Sequence, residues 1–233
     1  MTWVKICGTT NLEDALSAVD AGADALGFVF YERSPRYVAP ETAHTIIAEL
    51  PDGVEKVGVF VNQFEDSICT LADEVGLTGV QMHGGNEDPH VADLVLQRRP
   101  ELKIFAGISM HHPSPEGWAM MWRPDVVYSF LVDSGNSKQP GGTGETFDWR
   151  ARRESIAVIA NLGRVLLAGG LSPGNVAEAM SILNPWGVDV VSGVEGGPGK
   201  KDPDKVRAFI AAVRKADQEG EKLQIPPRSR SSG

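Results

Sequence analysis

Val4-Lys5-Ile6-Cys7-Gly8-Thr9-Thr10-Asn11-Leu12-Glu13 joins a short apolar strand to the start of a helix, and what this junction lacks separates two folds. A doubly wound dinucleotide-binding sheet would carry G-x-G-x-x-G after its first strand. Here one glycine, Gly8, follows a cysteine. Two-residue alternation places Lys5 and Cys7 on the same side of the strand. Cys7 falls at the carboxyl end, where α/β proteins gather reactive groups. Thr10 with Glu13 reads as a capping box that opens the helix. A thiol two residues from a fixed positive charge can ionise near neutral pH and serve as a base or nucleophile. The competing reading is an inert core cysteine, the commoner fate of a lone thiol.

The same strand-to-helix alternation recurs along the chain. Strand candidates are Trp3–Ile6, Ala25–Phe30, Lys56–Val61, Gly79–Met82, Lys103–Ile108, Val126–Val132, Val165–Ala168 and Val188–Ser192. Continuous runs rich in Val, Ile and Phe suit parallel strands covered on both faces. Helical periodicity fills the gaps: Leu12–Ala21, Ala43–Leu50, Ile68–Val75, Val91–Arg99, Trp149–Leu162, Asn175–Leu183 and Pro203–Lys215. Ser172-Pro173 and Asp202-Pro203 each offer an N-cap followed by proline at the first helical position. Gly22, Gly76 and Gly163 are helix stops. The Pro- and Trp-bearing stretch His111–Arg123 predicts a short or irregular fifth helix. From about Gly220 the chain loses all pattern, which predicts a disordered tail over 220–233 behind one domain over 1–219. Strand and helix repeating in this way predict a single-domain (β/α)8 (TIM) barrel. An open doubly wound sheet is the runner-up; the missing G-x-G-x-x-G and the late glycine-rich turns favour the barrel.

Composition narrows the function. The 233 residues carry a net charge of -9, with 42% hydrophobic and 23% charged residues. This acidity argues against nucleic acid and anionic membrane as partners while allowing a local pocket for one phosphate. The two cysteines, Cys7 and Cys69, lie far apart, as expected in a reducing, cytoplasmic setting. No apolar run approaches the roughly 18 residues of a membrane span. No His, Cys, Asp or Glu set has metal-ligand spacing, so no metal is expected. Monomer and homodimer both stay open.

In a barrel, the residues ending each strand face one mouth. Collected, they include Cys7, Arg36, Asn62, His83, Asp133 with the run Gly141-Gly142-Thr143-Gly144, Gly169-Gly170, and Ser192-Gly193 with Glu195. The glycine turns after strands seven and eight have the bare backbone that closes on an anion, at the position where barrels hold phosphate. Asp133 and Cys7 come from strands three apart around the ring, so they flank a ligand as an acid and a base suited to isomerisation. The alternative for Asp133 is a helix cap. Arg36 can clasp a carboxylate bidentately, or be a solvated arginine. His83 can donate a hydrogen bond or shuttle a proton, or be structural.

These motifs resemble one family. Lys5-Ile6-Cys7-Gly8, Gly27-Phe28-Val29-Phe30 with Ser34-Pro35-Arg36, Gly58-Val59-Phe60-Val61-Asn62 and Gln81-Met82-His83-Gly84 match it in order. Val132-Asp133-Ser134, Gly141-Gly142-Thr143-Gly144, Phe147-Asp148-Trp149, Ala168-Gly169-Gly170-Leu171, Ser192-Gly193-Val194-Glu195 and Pro198-Gly199-Lys200-Lys201-Asp202 complete the match. The family is that of phosphoribosylanthranilate isomerases, barrel enzymes of tryptophan biosynthesis. The resemblance implies a cofactor-free Amadori rearrangement of a phosphorylated small molecule, N-(5-phosphoribosyl)anthranilate. It implies Cys7 as the base at sugar C2′, Asp133 as the acid that opens the furanose ring, and Arg36 on the anthranilate carboxylate. The turns at Gly170 and Gly193 would hold the phosphate. We place His83, Gly142, Gly144, Gly169, Asp189 and Ser192 with these as substrate-binding. Two positions depart from the family pattern: Met82 for a more usual leucine, and Val191 for a serine before Ser192-Gly193. Ser109–Arg123 matches none of its motifs.

Overall fold

The computed structural model describes residues 1–83, 88–135 and 145–224. Eight parallel strands close a barrel in chain order: β1 (Trp3–Cys7), β2 (Ala25–Val29), β3 (Glu55–Phe60), β4 (Gly79–Met82), β5 (Lys103–Ser109), β6 (Val127–Asp133), β7 (Val165–Leu167) and β8 (Gly187–Val190). The helices between and after them are α1 (Leu12–Asp20), α2 (Pro40–Ala48), α3 (Glu65–Val75), α4 (Pro89–Arg98), α5 (Pro115–Ala119), α6 (Arg153–Leu162), α7 (Val176–Leu183) and α8 (Pro203–Gln224). A 3-10 turn (Ser192–Val194) and a two-stranded hairpin, β9 (Glu195–Gly197) with β10 (Lys200–Lys201), sit between β8 and α8. No helix among the described residues is long and apolar enough to cross a membrane.

The expected (β/α)8 barrel is the fold, and the alternation in β1 shows why. Val4 and Ile6 face outward into the apolar shell shared with the helices, while Trp3, Lys5 and Cys7 line the inside at three levels. At the amino end Trp3 stacks on Phe105 (5.8 Å) and Trp186 (5.0 Å), plugging the barrel. In the middle Lys5 is fully buried and pairs with Asp189 at 2.8 Å. Cys7 tops the stack. The register places Lys5 opposite Asp189 on β8 and Cys7 opposite Gly27 on β2.

Local chemistry moved several boundaries. The α1 cap is Asn11, whose side chain accepts from Asp14 N–H, rather than the Thr10/Glu13 box. Thr10 is drawn away because its hydroxyl donates to the Gly199 carbonyl. Ser172-Pro173 begins a turn, not the helix: α7 starts at Val176 behind Asn175. Asn175 explains the delay, since its Oδ1 accepts from Ser172 N–H (2.8 Å) and its Nδ2 donates to Gly170 O (3.0 Å), tying the turn together. Asp202-Pro203 does start α8. Ser192 leaves the last strand for the 3-10 turn. The fifth helix is a single short turn, as His111–Arg123 predicted. α8 continues through Gln224, past the expected end at Lys215 and into the stretch expected to be tail; 225–233 lie outside the described residues.

Candidate active site

A cleft open to solvent occupies the carboxyl mouth, lined by Cys7, Tyr31, Ser34, Arg36, Gln81, His83, Asp133, Asp189 and apolar neighbours. Five residues expected at the site from sequence, on four strand ends and one loop, thus converge on one space. Gly142 and Gly144 lie outside the described residues. Gly169, Gly170, Ser192 and Gly193 stand beside the cavity rather than in its wall.

Cys7 is 4% exposed, and Gly27 explains how the thiol fits. A Cβ on Gly27 would come within 2.5 Å of Cys7 Sγ. A glycine inside a strand commonly marks such a close approach. Burial pushes the thiol above its usual range; Lys5 opposes this, Asp189 adds to it, and Lys201 opposes it. The neighbouring positive charge therefore does not by itself leave the thiol ionised near neutral pH, contrary to expectation. Desolvation outweighs it.

Beneath the thiol lies a buried polar layer whose pairing across the barrel the sequence did not reveal. Lys5 Nζ donates to Gln81 Oε1 (2.9 Å) and Asp189 Oδ1 (2.8 Å). Burial alone would lower the ammonium, but Asp189 and the Cys7 thiol reverse the direction, so Lys5 is raised. Asp189, expected to bind substrate, both lines the cavity and anchors Lys5.

Asp133 closes β6 and is buried. Its Oδ1 accepts from Gly135 N–H. Burial lifts its carboxyl above the ordinary range, with His83 opposing and Asp189 reinforcing. His83 packs over β5 where only a glycine fits: a Cβ on Gly107 would lie 3.0 Å from His83 Nδ1. That nitrogen is buried and finds no hydrogen-bond partner among the described residues.

The glycine turns pack against one another. Gly169 and Gly170 have φ of 85° and 64°, values that favour residues without a Cβ. A Cβ on Gly170 would also lie 2.6 Å from the Glu145 carbonyl, and one on Gly193 would overlap the Leu171 carbonyl. The turns after β7 and β8 therefore form one backbone-lined surface, a geometry suited to an anion. Arg36 is already paired: its Nε and Nη2 bond both oxygens of Glu195 at 3.1 and 2.8 Å. Glu195 and its partner Lys201 were quoted in sequence motifs but given no role. The one signal for Glu195 was its place just beyond strand eight, and for Lys201 its place in a family motif.

Fold and site together define a (β/α)8 barrel with a thiol, two carboxyls, a histidine and an arginine gathered at its carboxyl mouth. Residues 4–212 match the family described as PRAI, N-(5'phosphoribosyl)anthranilate (PRA) isomerase. An N-(5'-phosphoribosyl)anthranilate isomerase of Geobacter sp. (strain M21) is 50% identical over 216 residues, 92% of this chain and 99% of the relative. The phosphoribosyl anthranilate isomerase structure from Thermotoga maritima superposes with a TM-score of 0.82 at 40% identity, covering 92% of this chain and 100% of that one. A structure of such an enzyme in complex with reduced 1-(o-carboxyphenylamino)-1-deoxyribulose 5-phosphate gives 0.78 at 38% identity, with coverages of 92% and 100%. The chain belongs to the N-(5'-phosphoribosyl)anthranilate isomerase family.

Proposed function

We propose that Cys7 and Asp133 carry out the reaction of this family as general base and general acid. The chain is an aldose–ketose isomerase of tryptophan biosynthesis. It converts N-(5'-phosphoribosyl)anthranilate to 1-(2-carboxyphenylamino)-1-deoxyribulose 5-phosphate. The observation that carries the assignment of roles is the opposed placement of a buried carboxyl and a buried thiol in one cavity.

Burial favours the protonated form of Asp133, the form in which it can act as an acid. It gives that proton to the furanose oxygen as the C1′–O bond breaks, while the anilino nitrogen lone pair forms the C1′=N bond. The resulting iminium is cationic and, with Lys5 and Lys201, favours the Cys7 thiolate that burial disfavours. The thiolate takes the C2′ proton. The C–H pair becomes the C1′=C2′ bond, and the C=N pair returns to nitrogen. The enolamine then gives the ketone by proton transfer from the 2′-hydroxyl to C1′. Arg36 holds the anthranilate carboxylate, and the surface around Gly169, Gly170, Ser192 and Gly193 holds the phosphate. Such a thiol works only when reduced, and both cysteines are unpaired and buried, which fits a cytoplasmic enzyme.

Steady-state turnover of Cys7→Ala and Asp133→Asn tests the roles. Each should fall by about 10²–10⁴-fold, the usual worth of a positioned acid or base. Near-normal turnover by either variant overturns that residue's role. Inorganic phosphate should inhibit competitively, and the absence of inhibition at high concentration removes the phosphate assignment.

A further inference from the structure

Among the described residues the Glu195 carboxylate accepts four hydrogen bonds. Its Oε1 takes Arg36 Nε (3.1 Å), Gly199 N–H (3.2 Å) and Lys201 Nζ (3.2 Å), and its Oε2 takes Arg36 Nη2 (2.8 Å). Its side chain is 5% exposed, and that of Lys201 is 2% exposed. Lys201 also donates to the carbonyls of Cys7 (2.6 Å) and Val191 (3.3 Å). Three acceptors around one Nζ use all three hydrogens of an ammonium group. Lys201 thereby ties the hub to the last residue of β1 and the first beyond β8. Its own N–H donates to Asp14 Oδ2 on α1 (2.7 Å), so the β9–β10 hairpin is pinned at the barrel's closing seam.

We propose that Glu195, with Lys201 as its counter-ion, is the positioning residue that turns Arg36 toward the carboxylate of the substrate. The inference rests on the reading that Arg36 holds that carboxylate. A guanidinium offers two edges for bidentate contact, and Glu195 occupies the Nε–Nη2 edge. The Nη1–Nη2 end is left for the ligand. Arg36 lines the cavity, so this end is the one it can present there. The charges agree: two cations and one carboxylate leave the hub a net positive charge for a ligand carboxylate to meet. The tie from Lys201 to the Cys7 carbonyl sets the carboxylate subsite and the base in one register.

The test measures the dissociation constants of two probes by calorimetry: reduced 1-(o-carboxyphenylamino)-1-deoxyribulose 5-phosphate and the same compound lacking its ring carboxylate. The wild-type enzyme should prefer the first by about 10- to 100-fold, the worth of a charge-assisted bidentate contact. Arg36→Ala should erase that preference, and a preference left intact there overturns the reading of Arg36 itself. Glu195→Gln should cut the preference by about fivefold or more while binding of the second probe changes by less than about twofold. Equal weakening of both probes would reduce Glu195 to a structural staple, and an unchanged preference with Arg36→Ala behaving as expected would overturn the positioning role alone. Should Glu195→Gln fail to fold, Glu195→Asp, which withdraws the carboxylate by one methylene, must lose the same preference.

Discussion

Gly27→Ala tests the placement of Cys7 without touching a chemical group of the site. An added Cβ would lie 2.5 Å from Cys7 Sγ, 3.0 Å from Cys7 Cβ and 3.1 Å from Cys7 Cα. Ordinary carbon contacts begin at about 3.5 Å, so the sulfur must move by about 1 Å or the strands must part. The strands resist parting, because Gly8 and Thr9 N–H both donate to Gly27 O at 2.9 Å just above the contact. Overpacking of this kind costs about 1–3 kcal/mol. For a domain of this length that lowers Tm by about 2–4 °C per kcal/mol. Misplacing the base by about 1 Å costs about 10²-fold in turnover. Activity should therefore fall far more than stability does. Thermal melts and steady-state kinetics on wild type, Gly27→Ala, Cys7→Ala and the double variant form the cycle. With the sulfur gone, Gly27→Ala should cost less stability than in the wild-type background and should cost no further activity. A Gly27→Ala enzyme within about threefold of wild-type turnover, by the same scale, would mean the thiol is not where this packing puts it.

Two further outcomes follow from the shifted groups. On the proposed roles the active form needs a protonated Asp133 and an ionised Cys7, yet burial raises both; kcat/KM should rise through the Asp133 value, level off, and fall above the Cys7 value. In Asp133→Asn the residual rate should climb with pH without the plateau up to the thiol value, and a retained plateau would assign the acid limb to another group. Lys5→Met leaves Asp189 buried without its counter-ion and should cost about 3–5 kcal/mol by denaturant titration. It should also move the alkaline limb to higher pH, because the thiolate loses a neighbouring cation; adding Asp189→Asn should recover part of the stability, and failure to recover any would refute the pairing as the cause.

Much of this enzyme was legible because its information is local. Apolar runs and helical spacing laid out the barrel, and the strand ends Cys7, His83 and Asp133 were marked by polar residues closing apolar runs. Two helix starts misled for a shared reason: a capping residue is defined by where its side chain bonds, and Thr10 and the Ser172 turn are claimed by Gly199 and Asn175. The Arg36–Glu195 pair spans 159 positions, and no local pattern relates residues that far apart. Gly27 was readable in principle, as an interior strand glycine with no turn to explain it. The ionisation of Cys7 is the deeper case. Sequence places Lys5 two residues away and so argues for a thiolate, whereas the closed barrel removes water from both groups and reverses the outcome. Proximity in sequence reports the sign of a neighbouring charge, but only the packed fold sets the dielectric in which that charge acts. On the proposed roles, the thiolate is consequently most populated when the cationic intermediate stands beside it, which couples ring opening by Asp133 to proton removal by Cys7.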